Sequence, residues 1–198
     1  TVSGLTNTIA FSAIENLTLG GTASHNAIGN GGANTLSGNA AANKLYGMAG
    51  NDVLVGNTGA DKLYGDTGND LLRGGAGNDT LDGGTGSDLF RFDTALGTAT
   101  SPNRDTINNF VVADDTIQLE NSIFTKFGIS TTGVIAADKF KVITTGGATD
   151  SDDYIVYNKS SGAIYYDATG STNGLTDAVQ VAIVGSNLAL TNADFHLV

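Results

Sequence analysis

The chain has 198 residues, with 28 glycines, one proline and no cysteine, and 20 acids against 9 bases give a net charge of −11. A hydrophobic share of 40% separates it from a disordered acidic tail, and the single proline excludes a collagen-like chain. Acidity repels nucleic acid phosphates and anionic membrane surfaces, and the missing thiols exclude disulfides and thiolate zinc sites.

Residues 1–28 read as entry strands and degenerate coils of a solenoid whose regular part starts at Gly29. Ile14 to Gly21 is IENLTLGG, and a looser stretch continues through Asn26 and Ile28. His25 falls where a ligand position would lie in a regular coil, and we read it as a turn residue.

Residues 29–91 divide into seven consecutive nine-residue units, from GNGGANTLS to GGTGSDLFR. Position one is always glycine, from Gly29 to Gly83, and position four is glycine except at Ala41. Position six is Asn34, Asn43, Asp52, Asp61, Asp70, Asp79 and Asp88. Position eight is leucine from Leu36 to Leu81, then Phe90. One large apolar residue per nine cannot belong to an amphipathic helix, but it suits a three-residue strand with its middle side chain inward. Glycine at positions one and four allows a tight turn. Two units then make one coil, and stacked coils make two parallel sheets. Leu36, Leu54, Leu72 and Phe90 should line one sheet, and Leu45, Leu63 and Leu81 the other.

Residues 92–198 lose the repeat and alternate strand-like runs with turns. Predicted strands are Asp105 to Phe110, Asp115 to Leu119, Phe140 to Thr145 and Ala178 to Val184. A hairpin of YIVYN and AIYYD flanks Lys159 to Gly162. These runs suggest an antiparallel sheet or sandwich capping the end of the solenoid.

The spacing carries the chemistry. Aspartates eighteen apart stack on one side of the coil, pairing Asp52 with Asp70, Asp61 with Asp79, and Asp70 with Asp88. Carboxylates and glycine-rich carbonyls around one gap suit calcium, whereas magnesium wants rigid octahedral geometry. Asn34 and Asn43 keep an oxygen but lose the charge, so the early turns should bind weakly or be held by hydrogen bonds alone. One leucine per unit is little burial against the entropy of ordering nine residues, so metal binding and folding are expected to be one event.

The units resemble the repeats-in-toxin (RTX) pattern G-G-x-G-x-D-x-U-x, which GGAGNDTLD (Gly74 to Asp82) matches at every position. That resemblance implies a right-handed parallel β-roll with calcium between turns, then a C-terminal antiparallel cap. It implies side-chain ligation by Asp52, Asp61, Asp70, Asp79 and Asp88. It also implies backbone carbonyl ligation at repeat positions one and three: Gly47, Ala49, Gly56, Thr58, Gly65, Thr67, Gly74 and Ala76. GSDLFRFD, DTINNF and DDTIQLE resemble the C-terminal halves of serralysin-type proteases, alginate epimerase modules and secreted adhesins, which makes Asp105 a further candidate for the last site. The ending Asp194-Phe195-His196-Leu197-Val198 resembles uncleaved signals for type I secretion machinery, with Asp194, Phe195, Leu197 and Val198 carrying the pattern. YYDATGS (Tyr165 to Ser171) resembles a family segment with a second acid where Thr169 stands here.

The expected function is a calcium-binding structural and secretory module of a larger protein, secreted or at the cell surface, and monomeric. Thr1 opens the chain without a signal segment, which fits a piece of something longer. No run reaches the ~18 to 20 apolar residues of a membrane span. The chain has two histidines, His25 and His196, and no nucleophile motif, so no enzymatic role is expected. Asp114-Asp115 and Asp152-Asp153 read as solvated turn acids. The rival function is binding of extracellular polysaccharide, through a face formed by Tyr154, Tyr157, Tyr165 and Tyr166.

Overall fold

The structure, a computed structural model, describes residues 8–10 (backbone), 15–98, 102–128, 132–144, 151–169 and 175–198. Ile14, Thr145 and Ser171, at the ends of three segments read from the sequence, lie outside the described residues.

Ten strands run through the solenoid and its entry: β1 (Thr8–Ala10), β2 (Asn16–Thr18), β3 (Asn26–Ile28), β4 (Thr35–Ser37), β5 (Lys44–Ala49), β6 (Val53–Thr58), β7 (Lys62–Thr67), β8 (Leu71–Ala76), β9 (Thr80–Asp82) and β10 (Leu89–Phe92). Odd-numbered strands stack in one sheet and even-numbered strands in the other. Every pair is parallel and offset by eighteen residues within the repeats, so Leu36 lies beside Leu54 and Leu45 beside Leu63. The predicted leucine files are therefore formed, and Leu45 through Leu81 are fully buried between the sheets. Strands β5 to β8 are six residues long because pairing continues into the turn, as at Met48 beside Asp66.

The turn geometry refines the role of glycine. Positive φ occurs at position two (Met48, Asn57, Asp66, Gly75, Gly84) and position four (Gly50, Gly59, Gly68, Gly77, Gly86). Position one has no such angle. Its glycine is required by space, not by rotation.

Among the described residues the second half adds eight strands: β11 (Asp105–Asn108), β12 (Thr116–Leu119), β13 (Gly133–Val134), β14 (Phe140–Ile143), β15 (Ile155–Asn158), β16 (Ala163–Tyr166), β17 (Val179–Ile183) and β18 (Phe195–Leu197). The antiparallel C-terminal sheet is present as β15–β16–β17, with the hairpin turning at Lys159 to Gly162. It joins the roll edge to edge. Strand β11 adds in parallel to β9 and β17 to β11, while β12 adds to β10 and β18 to β12. Ile107, Ile117 and Phe195 thereby continue the leucine files without a break in the core.

Candidate metal centre

A side chain at position six precedes each short strand, and strand stacking brings it under its counterpart one coil earlier. Each aspartate uses one oxygen to hold that earlier coil. Asp52, Asp61 and Asp70 accept the amides of Asn34, Asn43 and Asp52 through Oδ1, each at 2.7 Å. Asp79 accepts from Asp61 at 2.8 Å and Asp88 from Asp70 at 2.9 Å. The other oxygen, Oδ2 of Asp52, Asp61, Asp70, Asp79 and Asp88, is buried and makes no hydrogen bond. Five buried carboxylate oxygens without partners are far outside normal practice in a folded protein and call for a cation.

The position-one glycine shows where that cation fits. A Cβ on Gly56 would stand 2.6 Å from Asp61 Oδ2 and against the Gly74 carbonyl. On Gly65 it would meet Asp70 Oδ2 and lie 2.5 Å from the Gly83 carbonyl. On Gly47 it would meet Asp52 Oδ2 and lie 2.9 Å from the Gly65 carbonyl. The lone carboxylate oxygen and the next coil's carbonyl thus face one small space that a side chain would close. Among the described residues no three acidic or imidazole side chains converge, so each gap relies on carboxylate plus backbone oxygens. All are hard donors, which is the set calcium accepts.

Carbonyls at position three behave differently. That of Thr67 accepts the Gly50 amide at 3.0 Å, and that of Ala76 the Gly59 amide at 2.9 Å. The Gly83 carbonyl, which the sequence-predicted set does not include, lies beside Gly65 as the Gly74 carbonyl lies beside Gly56.

The asparagine turns carry their own hydrogen bonds. Asn34 Oδ1 accepts the Asn30 amide at 2.7 Å, and Asn43 Oδ1 accepts the Asn39 amide at 2.8 Å. The Asn43 side-chain amide also donates to the His25 carbonyl at 2.9 Å. These oxygens occupy the place of Oδ2 beside Gly29 and Gly38.

Electrostatics agree with the geometry. Burial pushes the carboxyls of Asp52, Asp79 and Asp88 above the usual range, opposed by the amides they accept. Burial raises Asp61 to about 7, with the Asn43 amide opposing and the Asp79 charge adding. Burial likewise raises Asp70 to about 6, against the Asp52 amide and with Asp88, Asp52 and Asp66 adding.

Two acids of the second half join these columns. Asp105 Oδ1 accepts the Asp79 amide at 3.0 Å, and burial, then the Asp79 charge, raises its carboxyl to about 8. Asp115 accepts the Asp88 amide at 3.0 Å and is buried, contrary to its reading as a solvated turn acid. The signal was present: Asp105-Thr106-Ile107 and Asp115-Thr116-Ile117 keep the aspartate-to-apolar spacing of the repeats. Asp153 is also buried, whereas Asp114 is exposed.

The C-terminal residues are built into the sheet. Phe195 and Leu197 are buried in β18, and Asp194 Oδ2 accepts the Thr191 amide at 2.7 Å to cap a short turn. The Val198 amide donates to the Leu119 carbonyl at 3.1 Å. The four tyrosines form no common face. Tyr157 and Tyr166 are buried, the Tyr157 hydroxyl donating to the Gly185 carbonyl, while Tyr154 and Tyr165 are half-buried.

The family model of the RTX calcium-binding nonapeptide repeat (4 copies) matches residues 28–63 and 55–90. No curated protein matches the chain. Among solved structures, it is similar to the AlgE6R3 subunit of the Azotobacter vinelandii mannuronan C5-epimerase, at 28% identity and a TM-score of 0.40, over 83% of this chain and 77% of that one. The solenoid is thus a β-roll of RTX calcium-binding nonapeptide repeats.

Proposed function

We propose that Asp52, Asp61, Asp70, Asp79 and Asp88 ligate calcium through Oδ2, together with position-one carbonyls of the following coil, and that Asp105 extends one column by a further site. The single observation that carries this reading is the file of buried Oδ2 atoms with no hydrogen bond. The asparagine turns at Asn34 and Asn43 hold together without an ion. Residues 29–91 form the calcium-dependent unit, entered through residues 1–28 and capped by residues 92–198.

A module that needs calcium to fold stays extended in calcium-poor cytosol and folds where calcium is abundant. This supports a role in a larger secreted protein exported by type I machinery, with the roll as a structural module. The test is far-UV circular dichroism in chelator and in millimolar calcium. A β-rich spectrum that chelation leaves unchanged would end the reading.

A second reading, polysaccharide binding, is favoured by one feature. Tyr165 lines an open cleft of about 300 Å³ with Arg104 and Gln180. Glycan affinity lost in Tyr165→Ala but kept in Asp70→Asn would support it.

A further inference from the structure

The two aspartate columns end differently. The column of Asp61 and Asp79 ends on Asp105, whose Oδ1 takes the Asp79 amide. The column of Asp52, Asp70 and Asp88 ends on Asp115, where both oxygens are occupied. Oδ1 accepts the Asp88 amide at 3.0 Å, and Oδ2 accepts the Val111 amide at 2.8 Å. The Val111 carbonyl in turn accepts the amides of Asp114 and Asp115, each at 2.9 Å, which closes a compact turn. Thr116 completes the junction by donating to the Asp88 carbonyl at 2.8 Å.

We propose that Asp115 is a metal-free joint: a carboxylate placed like a repeat ligand, but with a backbone amide on each oxygen, that clamps the last coil of the roll onto the second half. The inference rests on the reading of Asp88 and its predecessors as ligands. Each carboxylate oxygen keeps a second lone pair, but the oxygen that is orphaned in every position-six aspartate of the repeats already faces the Val111 N–H here, and the positive hydrogen of that donor disfavours a cation beside it. Amide bonds to a carboxylate are also among the stronger hydrogen bonds, so the clamp needs no cation to hold. Its role is positional. It fixes the Asp88 amide, and the Thr116 amide beside it fixes the Asp88 carbonyl, so the last coil is held to the second half by contacts that include no ion.

The experiment uses the full 198-residue chain. Calcium bound per chain at saturation is measured by calorimetry, and the thermal midpoint is measured in saturating calcium. Asp70→Asn calibrates the loss of one ion. Asp115→Asn is expected to keep the parent's ion count while its midpoint falls by at least about 2–4 °C. Loss of an ion in Asp115→Asn would make it a ligand and overturn the proposal, and so would an unchanged midpoint. If Asp115→Asn fails to fold, Val111→Pro removes the donor and leaves the carboxylate in place. The same retained ion count and lowered midpoint are expected there, and the same two results overturn. Failure of the underlying ligand reading is distinguishable, because Asp70→Asn would then keep the parent's count.

Discussion

The Asp70 amide donates to Asp88 Oδ1 across 2.9 Å, although the two residues are eighteen positions apart. Asp70 meanwhile accepts the Asp52 amide at 2.7 Å. Each position-six aspartate from Asp52 to Asp88 therefore faces two gaps, holding the earlier coil with Oδ1 and leaving Oδ2 unbonded. A change at one position acts on two coils.

Gly65→Ala tests the space between coils. The new Cβ would meet Asp70 Oδ2 and the Gly83 carbonyl, so the coil must open or the ion must leave. A loss of about 1–3 kcal/mol is expected from overpacking, with a weaker calcium affinity. Gly31→Ala is the control, since nothing lies within 4 Å of its Cβ. It should stay within about 0.5 kcal/mol by urea unfolding in calcium.

Asp70→Asn separates ion binding from the metal-free chain. The substitution copies the arrangement at Asn34 and Asn43, where the side chain serves its own turn. Calcium uptake should fall. In chelator, the residual β signal in far-UV circular dichroism should rise relative to the parent, because a buried carboxylate without a partner has been removed. A residual signal that falls in chelator would count against the orphaned oxygen as a source of instability.

The pH dependence follows from the direction of the shifts. Asp70, Asp61 and Asp105 are raised from 3.8 to about 6, 7 and 8. In the metal-free fold the proton is bound more tightly than in the unfolded chain. That contribution is complete below about pH 4 and is lost as pH rises through 6 to 8. Chelated protein should therefore gain structure on acidification. Calcium must displace the same protons, so its affinity should weaken as pH falls from 8 to 6. Calorimetry in buffers of differing ionisation enthalpy reads the released protons directly. No proton release at about pH 6.5 would contradict this account.

Phe195→Ala tests whether the chain end is structural. Phe195 is fully buried beside Ile117 and packs on Phe140 with ring centroids 5.2 Å apart. Its loss should cost about 3–5 kcal/mol in saturating calcium. A cost below ~1 kcal/mol would mean that β18 detaches freely from the sheet.

The repeats were legible because their period is short and strict. Glycine, aspartate and leucine recur in phase, and each has one physical use, so sheet membership and the candidate acids emerged without coordinates. The role of position-one glycine was not legible. A glycine chosen for absence of Cβ looks the same in sequence as one chosen for positive φ. Asp115 was obscured for a related reason: it is joined to Asp88 by pairing outside the repeat, where no phase announces the register, and its own turn folds the Val111 amide back onto it.

Composition and periodicity by themselves determined that parallel coils stack at eighteen-residue intervals and that oxygen donors line their edges, because local spacing dictates which side of a coil a residue takes. The folded structure alone decided which carboxylate oxygens stay without a hydrogen bond. Asp88 and Asp115 are the same residue type in the same spacing, yet one keeps an unbonded oxygen and the other has both filled. The difference lies in the turn that starts at Val111, which folds its amide back onto the second oxygen of Asp115 while the first reaches across to the last coil at Asp88.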